Sequence, residues 1–203
     1  MTECQRPAVE ATRELLEGVD WGTLRHARGP AVDLPAHLLA LAEGGPEARA
    51  AAMAELRRTI FLRGLRYPAT VAAMPPLIEL LRHEAVAGRD QIVILLVDLL
   101  AGYPNAYLVG GYDAAALGGQ DWDPEDLPAQ LQRELDRGCH VLAALLSDGD
   151  PAVRAAGAYG LAWIGEGRDR ARDALSSHYE QEEDPVVRGA VLLALSYAEP
   201  TET

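Results

Sequence analysis

Five histidines, two cysteines and a cluster of aspartates are the residues here whose types suit catalysis or metal binding. The histidines stand at 26, 37, 83, 140 and 178. No two are four residues apart, so no helix presents a paired imidazole face to a zinc ion. Cys139–His140 is one adjacent pair with no second pair to complete a tetrahedral site. Its place at the head of "VLAALL" assigns Cys139 to packing. Two thiols, Cys4 and Cys139, are too few for a disulfide framework. The stretch "DWDPED" places Asp121 and Asp123 as the opening of a calcium loop does, but Asp126 stands where the loop needs Gly and Gln132 where it needs Glu. Asp123–Pro124 reads better as the cap and first residue of a helix. No Gly-rich phosphate loop, nucleophile elbow or zinc-protease motif occurs. The expectation is a protein without metal or cofactor that catalyses nothing.

Other residues suit contact better than chemistry. The segment 103–126, "YPNAYLVGGYDAAALGGQDWDPED", breaks the surrounding helical rhythm with two Gly pairs and carries Tyr103, Tyr107, Tyr112 and Trp122. From Gln91 to Gln132 there is no Lys, Arg or His, while Asp121 and Asp123 stand among several carboxylates. Aromatics beside acids suit a cationic partner. A loop folded back on its own scaffold accounts for them equally well, and both readings stay open. A basic group, Arg57, Arg58, Arg63 and Arg66, falls near a helix C-terminus, where cations complement the dipole.

Charge bounds the partner. Lys plus Arg is 18 and Asp plus Glu 31, giving −13, and every basic residue is Arg. Such a chain repels polyanions, so nucleic acid and anionic membranes are excluded as expected partners and a basic protein or peptide is the natural complement. The first residues, "MTECQRPAVEATRELLEG", are polar and mixed in charge, unlike a signal peptide, and the longest apolar run, Ile92–Val97, is too short to span a bilayer. A cytoplasmic location is expected.

The elements that position these residues are helical. Apolar residues recur at helical spacing nearly throughout, and β-branched alternation is nearly absent. The chain also repeats itself: "DPAVRAAGAYGLAWIGE" from Asp150 returns as "DPVVRGAVLLALSYAEP" from Asp184, each after a Leu- or Ala-rich helix. Asp150 and Asp184 can cap the second helix of each unit, with Pro151 and Pro185 at its first position. Val153, Gly157, Gly160, Leu161 and Ile164 then share a core face on which small residues admit a close neighbour. Looser copies lie upstream, at "LPAHLLALAEGGPEARAAAMAELRRTI" with Pro46 and Arg49, and at "PPLIELLRHEAVAGRDQIVILLVDLL". The second helix of the latter is apolar almost all round, as in the most enclosed member of a stack. A leading helix near Pro7–Gly18 is expected to cover one end, and segment 103–126 is expected to interrupt the third unit.

The Asp-Pro-x-Val-Arg motifs at 150–154 and 184–188 resemble those of the HEAT-repeat family, and the likeness extends loosely over residues 33–200. The stretches "FLRGLRYPATVAAMPPLIELL" and "LRHARGPAVDLPAHLLAL" also look like bacterial HEAT-repeat proteins of undefined function. The resemblance implies an all-α, right-handed solenoid of about four helix pairs with an N-terminal helix, forming one domain over 1–203 with an insertion at 103–126. It implies that Arg154 and Arg188 are structural ties between repeats. Enzymes of this architecture match poorly. Deoxyhypusine hydroxylase needs several His-Glu pairs and only His83–Glu84 occurs, the alkylpurine DNA glycosylases need a basic groove, and no residue argues for the tetrapyrrole of bilin lyases.

In such stacks the second helices line the concave side. Away from the core stripe lie Ala155, Ala158, Tyr159 and Ala162, with Trp163 beside them, and then Gly189, Leu192, Leu193, Ser196 and Tyr197. This row is unusually apolar for a solvent-facing surface, and Tyr159, Trp163 and Tyr197 are its candidate anchors. The expected function is a non-catalytic scaffold that binds a protein or peptide, in its sharpest form an inhibitor or immunity-type partner of a basic effector. The alternatives are an enzyme or accessory lyase acting on a small molecule, and a self-assembling protein whose last helix pairs with its own copy.

Overall fold

Proline in the first turn opens several of the helices, and glycine sets how closely two of them approach. The computed structural model describes residues 6–102 and 126–198. Among these residues lie ten α-helices and one short strand pair. Helix α1 (Arg6–Glu17) buries Ala8, Val9, Thr12 and Leu16 against α2 (Leu34–Glu43) and α4 (Pro68–Leu81). It closes the N-terminal end of the stack, as its amphipathic spacing predicts. Four helix pairs follow: α2 with α3 (Pro46–Thr59), α4 with α5 (Arg89–Ala101), α7 (Cys139–Leu145) with α8 (Pro151–Leu161), and α9 (Arg168–Gln181) with α10 (Pro185–Ala198).

The second helices form one row, with α5 on α8 and α8 on α10. In α5, Ile92, Val93, Leu95, Leu96, Val97, Leu99 and Leu100 are all buried, so it is enclosed by its neighbours as its unbroken apolar surface requires. Helix α3 joins the row through an ion pair, Arg57 Nη1 to Asp98 Oδ2 at 2.6 Å. The close seam is at α8. A Cβ on Gly157 would lie 2.9 Å from Leu145 Cβ and 3.2 Å from Leu142 O, and one on Gly160 would lie 2.9 Å from Leu142 Cδ2 and 3.0 Å from Val93 Cγ1. Val153, Gly157, Gly160, Leu161 and Ile164 are buried, as their 3.6-residue spacing predicts.

Four features differ from the sequence reading. Ala158 faces no solvent, because α8 is packed by α5, α7 and α10 at once and its buried arc is wider than a two-sided helix would show. Helix α4 begins at Pro68, seven residues before the Pro75–Pro76 pair that reads as a start. Tyr67 N–H donates to Thr70 Oγ1 at 2.8 Å and fixes that start. The two prolines then lie inside a helix whose burial of Met74, Leu77, Ile78, Leu80 and Leu81 offsets their lost bonds. An additional helix, α6 (Asp126–Arg137), is separated from α7 by Gly138 alone, so segment 103–125 falls between the second and third pairs instead of inside the third. Finally, strands β1 (Arg25–His26) and β2 (Gly29–Pro30) pair antiparallel, Arg25 with Pro30 and His26 with Gly29. This hairpin docks on the end of α3 through Ala27 N–H to Thr59 O at 2.9 Å. The buried His26 ring holds it, with Nε2 2.7 Å from Asp33 Oδ1 and Nδ1 accepting Arg28 N–H at 3.0 Å. Burial would raise the Asp33 carboxyl, but the His26 contact and the nearby His37 outweigh it and hold the group below its ordinary range.

Candidate functional site

The repeated arginines sort first, because they hold the site's frame. Arg154 Nη1 donates to Asp148 O at 3.0 Å, and Arg188 Nη1 to Tyr179 O and Glu182 O, both at 3.0 Å; Arg49 makes the same kind of bond to Gly44 O. In these three of the four units an arginine on the second helix closes the carbonyl end of the turn before it. Arg154 also reaches the next unit, giving Nε to Glu182 Oε2 at 2.7 Å and Nη2 to Glu182 Oε1 at 2.9 Å. This fork, with burial opposing it and the Asp184 N–H and His178 assisting it, lowers the Glu182 carboxyl to about 2. Arg188 instead stacks over the Tyr179 ring, 4.3 Å from its centroid.

Asp150 Oδ1 accepts Ala152 N–H at 2.9 Å, and Asp184 Oδ1 accepts Val186 N–H at 2.8 Å and Val187 N–H at 3.1 Å. Pro151 and Pro185 open their helices. Asp150, Asp184, Pro151 and Pro185 are therefore used for helix starts and Arg154 as a tie between units, whereas Arg188, expected to be a second such tie, bonds within its own unit because no further helix pair follows α10 among the described residues. The sequence reading missed Asp148 and Glu182, two residues before each capping Asp. Arg89 Nη1 meets Asp148 Oδ2 at 2.7 Å just as Arg154 meets Glu182. The signal was present in the repeat, since Asp148 and Glu182 sit at matching positions and both are acidic.

With the frame accounted for, an apolar groove remains between α8 and α10. Ala162, Ala190 and Ala194 form its floor, and Tyr159, Trp163, Leu193 and Tyr197 its walls, around a volume of about 550 Å³. The exposed walls are 40% (Tyr159), 37% (Trp163), 59% (Leu193) and 70% (Tyr197) accessible. The Tyr159 and Trp163 rings meet edge to face, 6.4 Å apart at 80°. Burial pushes the Tyr159 hydroxyl up from its ordinary range and Asp98 adds to the effect, so at neutral pH it is a neutral donor. Trp163 is held by α6: Gln132 Nε2 donates to Trp163 O at 2.9 Å, and Asp136 accepts Gly165 N–H at 2.8 Å and Glu166 N–H at 3.0 Å.

Thus Tyr159, Trp163 and Tyr197, read from the sequence as one row, line one groove. Tyr103, Tyr107, Tyr112, Asp121, Trp122 and Asp123 lie outside the described residues. The basic group is consumed internally where it is described. Arg57 pairs with Asp98, Arg58 with Glu55, and Arg66 Nε donates to Leu99 O at 2.8 Å at the end of α5. Burial raises the half-buried Cys139 thiol, which keeps it protonated and poorly nucleophilic. Among the described residues no group of three His, Cys, Asp or Glu is placed to hold a metal ion, and no helix is long and apolar enough to cross a membrane.

The family model of HEAT repeats matches residues 129–196, from within α6 to near the end of α10. Residues 129–196 therefore carry HEAT repeats, and every groove residue except Tyr197 falls within the match. No curated protein and no solved structure matches the chain.

Proposed function

We propose that this chain is a non-catalytic scaffold that binds a protein or peptide through the face of its second helices. One observation carries the reading: a groove of about 550 Å³ whose walls are two tyrosines, a tryptophan and a leucine, open to solvent where the other large apolar side chains among the described residues are mostly buried. Open apolar patches rimmed by polar surface mark interaction sites, and Tyr and Trp are the side chains that anchor them. The net charge of −13 favours a basic partner through steered association, and an inhibitor or immunity-type protein masking a basic effector is the sharpest form of this reading. The acidic, aromatic segment 103–126 is proposed to add to the same interface.

Capture from the source lysate tests it. The wild-type chain should retain a defined protein that the Trp163→Ala variant loses while keeping its thermal stability. Equal capture by the variant refutes the groove as the interface. A second reading has its own support, since an apolar pocket in the range of roughly 300–1,000 Å³ also suits a small molecule. A stoichiometric organic ligand seen by native mass spectrometry of the purified protein would favour that reading.

A further inference from the structure

Resting on the reading of the groove as a protein-binding site, we propose that its occupant is a cationic amphipathic α-helix of the partner, laid along α8 and α10. The backbone of the groove decides the form of the ligand. Both walls are helices, so their N–H and C=O groups are spent on internal bonds, and the groove presents no strand edge. An extended peptide lying there would leave its own backbone unpaired against apolar side chains, whereas a helix brings its backbone bonds with it. The groove's cross-section agrees. A floor of Ala162, Ala190 and Ala194 lets a helix backbone approach, and the bulky walls at Tyr159, Trp163, Leu193 and Tyr197 interdigitate with anchors spaced at i, i+3 or i+4, and i+7.

Charge decides the sign. The row α5, α8 and α10 contains three cations, and all are engaged within the stack: Arg89 with Asp148, Arg154 with Glu182, and Arg188 over Tyr179 and on the turn carbonyls. Asp98 is itself paired with Arg57 and Asp90 is half-buried, so the sign is carried by the chain's net charge of −13 together with the engagement of all three cations on these helices. A helix with its apolar side in the groove and arginines or lysines on its flanks complements this face. A second copy of the chain brings the same −13 charge and is repelled.

The test uses the full chain and labelled synthetic peptides of about four turns. They are a Leu/Arg amphipathic helix, a scrambled helix of the same composition, a Leu/Glu amphipathic helix and a Pro-rich extended peptide. Fluorescence anisotropy should give the Leu/Arg helix at least about tenfold tighter binding than each other peptide, and Tyr197→Ala should weaken it by about tenfold. Ala190→Glu, which fills the floor, should abolish it, and Tyr197→Ala decides the matter if that variant does not fold. Equal binding of the scrambled helix overturns the proposal in favour of charge alone, and tighter binding of the Pro-rich peptide overturns it in favour of an extended ligand. A dimer in solution that Tyr197→Ala dissociates overturns it in favour of a second copy. If no peptide binds while Trp163→Ala still loses the lysate partner, the helix inference fails and the interface reading stands. If both are negative, both fail.

Discussion

Replacing Arg154 by Ala removes the tie between the third and fourth helix pairs, and the structure sets the size of the effect. The Glu182 side chain is 4% exposed and takes two forked bonds from Arg154, at 2.7 and 2.9 Å, beside one from Asp184 N–H at 2.9 Å and a His178 contact at 2.8 Å. Removing one partner of a buried ion pair costs about 3–5 kcal/mol. His178 and the Asp184 N–H remain, which places Arg154→Ala near the lower end, about 3 kcal/mol. For a chain of this size, that amounts to a fall in Tm of roughly 6–12 °C, followed by circular dichroism at neutral pH. Acid provides an internal check. The Glu182 carboxyl is lowered from its ordinary 4.5 to about 2, chiefly by Arg154. A depressed folded-state value means the stabilisation is present above pH 4.5 and is lost as pH falls from about 4.5 towards 2. The gap between wild type and variant should therefore narrow across that window. A fall below about 2 °C at neutral pH, or a gap that stays constant on acidification, would refute the tie.

Gly157→Ala should destabilise, although Ala is the better helix former by about 1 kcal/mol. The new Cβ meets Leu145 Cβ at 2.9 Å, which moves only with the α7 backbone, and overpacking of this kind costs about 1–3 kcal/mol; an unchanged or raised denaturation midpoint contradicts it. Asp150→Ala and Asp184→Ala should each cost about 1 kcal/mol through the lost cap, measured in urea, and no loss in either would show that the caps are not formed. Asp136→Ala frees the Gly165 and Glu166 N–H groups. It should lower stability by about 1–2 kcal/mol and shift the tryptophan emission, and an unaltered spectrum would detach Trp163 from its support.

The parts of this fold that were legible in the sequence are those governed by local rules. Asp150 and Asp184 cap, Pro151 and Pro185 start, and the small face of α8 packs, because each depends on neighbours a few residues away. The ties are longer. Arg154 meets Glu182 across 28 residues and Arg89 meets Asp148 across the second and third pairs, and spacing within one helix carries no trace of either. Pro68 and the Pro75–Pro76 pair show the same limit, since only the Tyr67–Thr70 bond and the burial of α4 determine which proline is the start. The hairpin at 25–30 is too short for alternation to register, and the buried His26–Asp33 contact that holds it reads in the chain as an isolated histidine. For the groove, spacing placed Tyr159, Trp163 and Tyr197 on one face. That Ala190 and Ala194 complete its floor follows from how α10 packs on α8.

The central claim is that the α8–α10 groove contacts a partner protein. It is tested most directly by placing a photo-crosslinking residue at Leu193 in the groove and, separately, at the exposed Glu180 on α9. After irradiation in the source lysate, Leu193 should give one discrete crosslinked protein, competed by excess unlabelled wild type but not by Tyr197→Ala, and Glu180 should give none. Crosslinking from Glu180 alone, or a Leu193 product that Tyr197→Ala competes equally, would contradict it.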